Sequence, residues 1–323
     1  MSSLDIKKEA LEAKERIRPF IKKTPLEHSP SFSRYGSCNV HLKLENLQQT
    51  GSFKLRGAAN KILSLDKEMI SKGIVTASSG NHGEAVAFIC RELGLAGTIY
   101  LPEYTSQSKI DRLRHYRMNL VFQGKDCVET EGMAREHARK NRLVYIPPYN
   151  DAKIIGAQAT VAIELADQLK RIATVFVPVG GGGLISGIAG YLKSLDCHIE
   201  VIGCQPENSA VMFESIKAGK IVEMESLPTL SDGTAGGIEK DSITFDICRD
   251  LVDDFILVSE DEIKDAVRLF LENHDMLIEG AAALAVASFV KSKKRLEGKN
   301  AVLIISGGKI SADQLKIIFD EGG

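Results

Sequence analysis

Thr50-Gly51-Ser52-Phe53-Lys54-Leu55-Arg56-Gly57-Ala58 is the stretch around which the rest of the chain is organised. It follows an alternating apolar run at 40–44 that predicts a strand. It leads into a run at 58–63 that predicts a helix with Ser52 as its N-cap. A lysine in the first turn of a helix is unfavourable, because the helix N-terminus carries partial positive charge. Two interpretations of Lys54 stay open here: a solvated lysine in a basic turn, or a neutral amine held in a cleft to form a Schiff base with a carbonyl cofactor.

Composition excludes several classes of protein. A length of 323 residues allows one large α/β domain or two smaller ones, and a composition of 44% hydrophobic and 26% charged residues is ordinary for a soluble globular protein. A formal net charge of −2 offers no attraction for nucleic acid or an anionic membrane. There is no signal-peptide pattern and no apolar run of about 20 residues, so we expect no membrane partner. The six cysteines show no paired spacing, which favours reduced thiols in a cytoplasmic protein over disulfides or a zinc site.

Strands and helices alternate along the chain. Four short apolar runs alternate with three helical patterns within 73–150, and this predicts a compact α/β unit. A long helix at 152–170 opens a second unit of the same kind. Residues 221–250 form its least regular part, and a loop of that length usually serves function. The pattern therefore predicts an α/β protein with two open layers and a cleft between them.

A run of four glycines, Gly180 to Gly183, follows a strong strand and precedes a helix. Without side chains the backbone N–H groups can close on an anion at the positive end of the helix. A dinucleotide fold is one interpretation, but the spacing lacks G-x-G-x-x-G and Gln205 stands where an acid should bind the ribose. The other interpretation is a single phosphate, and phosphate together with a Schiff-base lysine indicates pyridoxal phosphate.

Two further turns follow strands. In Ser78-Ser79-Gly80-Asn81-His82 the hydroxyl and N–H groups suit a substrate carboxylate, and Asn81 suits a phenolate oxygen; the alternative is simple N-capping by Ser78 or Ser79. The hydroxyl of Ser306, in the turn Ser306-Gly307-Gly308, could face the heterocyclic nitrogen of a cofactor. The alternative is a plain loop that leads into a helix, and the spacing does not distinguish between the two.

Taken together, these motifs resemble the fold-type II pyridoxal phosphate enzymes, and within them the serine/threonine dehydratase (ammonia-lyase) and serine racemase group. The resemblance runs from about Thr24 to Ser311. It implies two open twisted α/β domains of the tryptophan synthase beta-like kind, with the cofactor in the cleft between them. The large domain would comprise 1–72 and 151–323, and the small domain 73–150 would be inserted in it.

The resemblance also implies residue roles. Lys54 would carry pyridoxal 5'-phosphate as a Schiff base and move the substrate Cα proton, and Ser79 would be the second catalytic residue, the base on the opposite face in racemases. The other implied cofactor contacts are Phe53, Asn81, Gly180, Gly181, Gly182, Gly183, Leu184, Glu279 and Ser306. The implied substrate contacts are Ser78, Ser79, Gly80, Asn81 and His82.

The activity implied is conversion of L-threonine, L-serine or a related β-hydroxy amino acid to a 2-oxo acid and ammonia, by a homodimer. Alternatives are a serine racemase, a dehydratase for 3-hydroxyaspartate or a hydroxyectoine-type substrate, and a non-catalytic binding protein. Departures from the group include the loop 232–239 and Lys309, which stands where Asn often follows Ser-Gly-Gly. Gln205 and Val211 replace acidic residues of the divalent-ion site in eukaryotic racemases, so no metal is expected.

Overall fold

Two β-sheets with helices packed against them make up the computed structural model, which describes residues 4–320. The strands are β1 Leu26–His28, β2 Asn39–Leu44, β3 Ile74–Ala77, β4 Gly97–Leu101, β5 Asn119–Phe122, β6 Val144–Tyr145, β7 Thr174–Pro178, β8 Glu200–Pro206, β9 Asp254–Val258 and β10 Asn300–Ile305. The helices are α1 Ile6–Ile17, α2 Pro30–Gly36, α3 Lys54–Leu63, α4 Lys67–Ser71, α5 Asn81–Glu92, α6 Gln107–Arg114, α7 Cys127–Asn141, α8 Ala152–Gln158, α9 Thr160–Gln168, α10 Gly183–Lys193, α11 Val211–Ala218, α12 Ile243–Leu251, α13 Glu260–His274, α14 Gly280–Ser292 and α15 Ala312–Phe319.

The larger sheet has the order β1-β2-β10-β7-β8-β9, in which only the pairing of β1 with β2 is antiparallel. The smaller sheet, β5-β4-β3-β6, is parallel throughout. Parallel strands are connected through crossover helices, so both faces of such a sheet are covered and its strands are apolar on both sides. All residues of β7 are accordingly buried.

Successive residues of β10 face opposite layers of the core. Val302 and Ile304 pack in the same cluster as Ile185 of α10, whereas Leu303 and Ile305 pack with the apolar face of α14. The alternation follows from the two-residue period of a strand. The larger sheet is therefore covered on both faces, and the presence of two sheets with helices packed against them confirms the α/β fold class that the sequence pattern predicts.

Helix α3 joins the two halves of the structure. Its apolar face, which includes Leu55 and Ile62, packs in one buried cluster with Ala85 and Ile89 of α5. The strands of the smaller sheet all lie within 73–150, and those of the larger sheet lie outside that range. The domain bounds 1–72, 73–150 and 151–323 stay a prediction.

The structure contradicts one local prediction and refines two others. Helix α3 starts at Lys54 with Phe53 as N-cap, and Ser52 instead pairs with Gly307 in an isolated β-bridge, because the chain stays extended there. The helix expected at 152–170 is interrupted at Ala159 between α8 and α9; the Thr160 hydroxyl donates to the Ala157 carbonyl at 2.6 Å and competes with the helical bonding pattern. The segment 221–250, predicted to be the least regular part, is irregular from 221 to 242 and then enters α12 at Ile243.

Among residues 4–320, no helix combines the length and the apolar character that crossing a bilayer requires.

Candidate active site

The turns singled out in the sequence meet at one place. Lys54 follows β2, the Ser78–His82 turn follows β3, the glycine loop Gly180–Gly183 follows β7, and Ser306 follows β10. Ligands of open α/β sheets bind at such carboxyl ends. A cavity of about 370 Å³ lies between them. Its lining includes every sequence-predicted site residue: Phe53, Lys54, Ser78, Ser79, Gly80, Asn81, His82, Gly180, Gly181, Gly182, Gly183, Leu184, Glu279 and Ser306.

The Lys54 amine projects into this cavity from the first turn of α3. Its Nζ donates to the Pro148 carbonyl at 2.9 Å and lies 5.3 Å from the centre of the Phe53 ring. Burial lowers the pKa of Lys54 to about 8, against the opposing effect of the Glu279 and Glu131 carboxylates. The Lys54 side chain thus lines the cavity instead of extending into solvent from a basic turn, and its lowered pKa increases the fraction of neutral amine near neutral pH.

A buried ion network fixes the base of α3, and the sequence reasoning missed it. Arg56 is fully buried, with its guanidinium donating to both Glu45 oxygens at 2.8 Å and to Glu164 Oε1 at 2.7 Å. Lys43 Nζ donates to Glu164 Oε2 at 2.6 Å. Buried charges are tolerated only with this kind of geometry, because each has lost its hydration. The network therefore orients the helix that carries Lys54. The available signal was one charged residue in each of two mostly apolar runs, Lys43 in 40–44 and Glu164 in 161–166.

The glycine loop presents a series of free donors. Within the described part of the chain, the backbone N–H groups from Gly180 to Leu184 have no acceptor. Gly182 has φ of +82°, a left-handed conformation that glycine adopts without strain. A Cβ atom on Gly181 would lie 2.4 Å from the Tyr149 ring, so the packing also demands glycine there. Five donors at the start of α10 fit an anion such as phosphate.

Asn81 and Glu279 face each other in the cavity wall. The Asn81 amide donates to Glu279 Oε1 at 3.1 Å and to Oε2 at 2.9 Å, and Asn81 Oδ1 is buried without a partner among residues 4–320. Burial raises the pKa of Glu279 to about 7, although the Asn81 hydrogen bond lowers it. The site thus holds a carboxyl group whose protonated form persists to higher pH than in an ordinary glutamate.

The Ser78–His82 turn offers backbone donors and hydroxyl groups. Helix α5 has Gly80 as its N-cap, without a side-chain cap, so neither serine caps it; Ser78 Oγ accepts the Gly80 N–H at 3.2 Å. The His82 ring nitrogen is engaged by the Ile146 carbonyl at 3.0 Å. Burial and the nearby Lys54 lower the pKa of His82 to about 3. The ring is therefore neutral, and an anion would meet the first N–H groups of α5.

Ser306 and Gln205 test the two cofactor interpretations. Ser306 Oγ is buried and, within residues 4–320, has no hydrogen-bond partner. An orphaned buried hydroxyl is costly unless a ligand completes it, which fits a heterocyclic nitrogen. Gln205 Oε1 instead accepts the Phe213 N–H at 2.8 Å, so it serves the start of α11. The donor set fits pyridoxal phosphate better than a dinucleotide.

The site combines a cleft between two α/β layers, a lysine of lowered pKa and a series of free N–H donors. This combination defines a cofactor site of the pyridoxal phosphate type. Residues 17–307 match the family model described as pyridoxal-phosphate dependent enzyme. The chain belongs to this family, as the sequence resemblance predicts.

Known relatives cover nearly the whole chain. It is 40% identical over 315 residues to a catabolic L-threonine dehydratase of Staphylococcus aureus, covering 96% of this chain and 91% of the relative. The processed threonine deaminase isoform 2 of Solanum lycopersicum superimposes with a TM-score of 0.93 at 32% identity, covering 98% and 88% of the two chains. Maize serine racemase superimposes with a TM-score of 0.89 at 32% identity, covering 95% and 96%.

Proposed function

We propose that the protein is a pyridoxal phosphate-dependent ammonia-lyase that converts L-threonine, L-serine or a related β-hydroxy amino acid to a 2-oxo acid and ammonia. The observation that carries the proposal is that the partly buried Lys54 amine and the free N–H donors of the glycine loop line the same cavity. The extensive similarity to dehydratases of this reaction supports the same conclusion.

Different residues of the cavity would bind different parts of the cofactor. Lys54 Nζ would hold its aldehyde carbon, the N–H groups of Gly180 to Leu184 its phosphate, and Ser306 Oγ its ring nitrogen. Asn81 would reach the ring hydroxyl, and Phe53 would lie beside the ring. When bound, pyridoxal phosphate acidifies the substrate Cα–H bond by withdrawing its electrons.

The protein groups perform the proton transfers and the positioning. The substrate carboxylate would bind the N–H and hydroxyl groups of the Ser78–His82 turn, which places its Cα in the cleft. Lys54 Nζ, whose lowered pKa favours the neutral amine, would accept the Cα proton. A neutral hydroxyl such as Ser306 cannot stabilise a charged ring nitrogen, and this favours prompt loss of the β-hydroxyl over a long-lived carbanion.

The overall reaction is balanced without an oxidant. The Cα–H and Cβ–O bonds break, a Cα–Cβ double bond forms and water leaves. The released enamine rearranges to an imine, whose hydrolysis takes up one water and releases ammonia. For threonine the product is 2-oxobutanoate.

The test is incubation of the cofactor-loaded protein with L-threonine and L-serine, with 2-oxo acid and ammonia measured in equal amounts. Absence of product from these substrates and from 3-hydroxyaspartate would reject the proposal. Ser79 lines the cavity where a second base could act, and maize serine racemase shares the fold. Chiral analysis of recovered serine therefore distinguishes racemisation from elimination.

The cellular location and the oligomeric state are also proposals. We infer that the enzyme works in the cytoplasm, which the unpaired thiols of Cys90, Cys204 and Cys248 support. We infer a homodimer from the family resemblance. Sedimentation equilibrium of the purified protein tests the second inference, and a monomer at all concentrations would contradict it.

A further inference from the structure

The capacity of the glycine loop to bind an anion depends on the direction in which its peptide groups point. In a trans peptide the carbonyl and the N–H that follows it lie on opposite sides of the chain. The carbonyl of Gly181 and the free N–H of Gly182 belong to one such unit, here called the 181–182 peptide. A contact that holds this carbonyl therefore also sets the direction of the donor.

The backbone of the loop does not by itself decide between two orientations of the 181–182 peptide. Gly182 has φ of +82° and ψ of −2°, close to about +80° and 0° at the third residue of a type II turn. A type I turn has about −90° and 0° at that residue, and the two turns differ by a rotation of the preceding peptide. Glycine adopts either sign of φ with similar ease. A contact from outside the loop is therefore needed to select one form.

Thr244 provides such a contact from behind the loop. Its Oγ1 donates to the Gly181 carbonyl at 2.6 Å, and the residue is fully buried. Gly181 and Gly182 line the cavity, whereas Thr244 lies outside the lining. The carbonyl thus points towards α12, and the Gly182 N–H points away from it. In the rotated form a carbonyl oxygen would replace the N–H, and its partial negative charge would repel an anion.

The Thr244 hydroxyl is itself held by a neighbour. Ser242 Oγ lies 2.7 Å from Thr244 Oγ1, and both residues are buried. A hydroxyl has one hydrogen to donate, and that of Thr244 goes to the Gly181 carbonyl, so the Ser242 hydroxyl is the donor between the two. The hydrogen bonds therefore run in one direction, from Ser242 through Thr244 to the loop. Each bond in such a chain strengthens the next by polarising it.

We propose that Thr244 is a positioning residue of the cofactor site, which fixes the 181–182 peptide so that the Gly182 N–H faces the phosphate of pyridoxal phosphate. The inference rests on the proposed function, in which the glycine loop takes that phosphate. Thr244 would act through the peptide and would touch neither cofactor nor substrate. Loss of its hydroxyl should therefore weaken recognition of the phosphate and leave recognition of the ring and the aldehyde nearly unchanged.

The test compares two ligands on the apoprotein. Pyridoxal 5'-phosphate and pyridoxal have the same ring and aldehyde, but pyridoxal lacks the phosphate. The apparent Kd of each is measured from the change in its absorbance, and the ratio of the two values reports recognition of the phosphate.

Three variants test the hydroxyl chain, and a fourth is the control. Thr244→Val removes the hydroxyl with little change in volume, Thr244→Ser keeps the hydroxyl, and Ser242→Ala removes the donor to Thr244. Ser194→Ala is the control, because Ser194 Oγ donates to the Tyr191 carbonyl at 2.7 Å at the other end of α10. It removes the same kind of hydrogen bond away from the loop.

We expect wild type and Ser194→Ala to share one ratio, with pyridoxal 5'-phosphate bound far more tightly than pyridoxal. In Thr244→Val the Kd of pyridoxal 5'-phosphate should rise at least about tenfold, the effect of a hydrogen bond to a charged group, and that of pyridoxal less than about twofold. Thr244→Ser should retain the wild-type ratio, and Ser242→Ala should give an intermediate one. The phosphorus NMR resonance of the bound cofactor should move in Thr244→Val and stay in place in Ser194→Ala.

An equal rise in the Kd of both ligands in Thr244→Val would indicate a merely structural role and would overturn the inference. An unchanged ratio in Thr244→Val, or a Thr244→Ser variant that behaves like Thr244→Val, would do the same. If Thr244→Val does not fold, the ratio in Ser242→Ala decides. A wild type that binds both ligands equally would overturn the phosphate site of the proposed function together with this inference. A wild type that binds pyridoxal 5'-phosphate tightly but forms no 2-oxo acid would reject only the proposed reaction.

Discussion

The Asn81 amide donates to both carboxylate oxygens of Glu279, although 198 residues separate the two in the sequence. Asn81 opens the helix that follows strand β3 of the smaller sheet, and Glu279 precedes the helix that packs on the larger sheet. The hydrogen bonds therefore join the two layers across the cleft, at the place where the cofactor ring is proposed to lie.

Replacing Glu279 should reveal its raised pKa. A folded-state pKa of about 7, against 4.5 for an ordinary glutamate, means that the folded apoprotein binds more protons between these values, so stability falls as pH rises through them. Glu279→Gln should be more stable than wild type at pH 8, by about 3 kcal/mol at most at 1.36 kcal/mol per pKa unit, and the advantage should vanish at pH 4. Urea unfolding across this range checks it. Glu272→Gln, on the exposed surface of α13, should show no such trend.

Lys54→Ala should abolish covalent cofactor binding and lower kcat by at least about 10²–10⁴-fold, because the residue is the proposed proton acceptor. Borohydride reduction of the wild type followed by peptide mapping should place the adduct on Lys54. Lys109 also lines the cavity and Lys61 also lies on α3. An adduct on either of these lysines would contradict the assignment.

Cofactor loading should depend on pH through the Lys54 amine. Only the neutral amine attacks the aldehyde, and a pKa of about 8 supplies it far below the value of 10.5 for an ordinary lysine. The second-order loading rate of apoprotein should therefore rise as pH increases from 6 and level off above about 8. Stopped-flow absorbance measures it. A rate that continues to rise in proportion to hydroxide up to pH 10 would show an unperturbed lysine.

Gly181→Ala should damage the anion site. The new Cβ would lie 2.4 Å from the Tyr149 ring, and overpacking of this kind costs about 1–3 kcal/mol. We expect weaker cofactor binding by at least about tenfold, together with a lower unfolding temperature. Gly132→Ala is the control: a Cβ there meets nothing within 4 Å, and alanine within a helix should stabilise by about 0.5–1 kcal/mol without affecting cofactor affinity.

Arg135 and Glu239 form a second link across the cleft. The Arg135 guanidinium donates to Glu239 Oε1 at 2.7 Å, connecting α7 to the loop before α12. A double-mutant cycle with Arg135→Gln and Glu239→Gln should give a coupling of about 0.5–1 kcal/mol in urea unfolding. The more exposed pair Arg139 and Glu136 on the same helix should give less. Equal coupling in both pairs would contradict a link that depends on partial burial.

Much of the site could be predicted because its binding and catalytic groups lie in short turns that are recognisable in the sequence. Lys54, the four glycines and Ser306 each follow a recognisable strand, and parallel strands present their carboxyl ends at one edge of a sheet. Positions where another hydrogen bond replaces the helical pattern were harder to predict. The break at Ala159 depends on one hydroxyl bonding to a carbonyl, and the start of α3 depends on a bridge between Ser52 and a residue 255 positions away.

The sequence by itself determined the alternation of strands and helices, the anion-binding glycine loop and the candidate lysine, because periodicity and turn chemistry are local properties. Only the tertiary structure decided that Lys54 is a low-pKa amine, that Arg56 belongs to a buried ion network and that Lys309 faces Arg112 across Glu84. Burial and charge pairing depend on which segments meet in space. In this protein the two sheets bring together groups that are far apart along the chain.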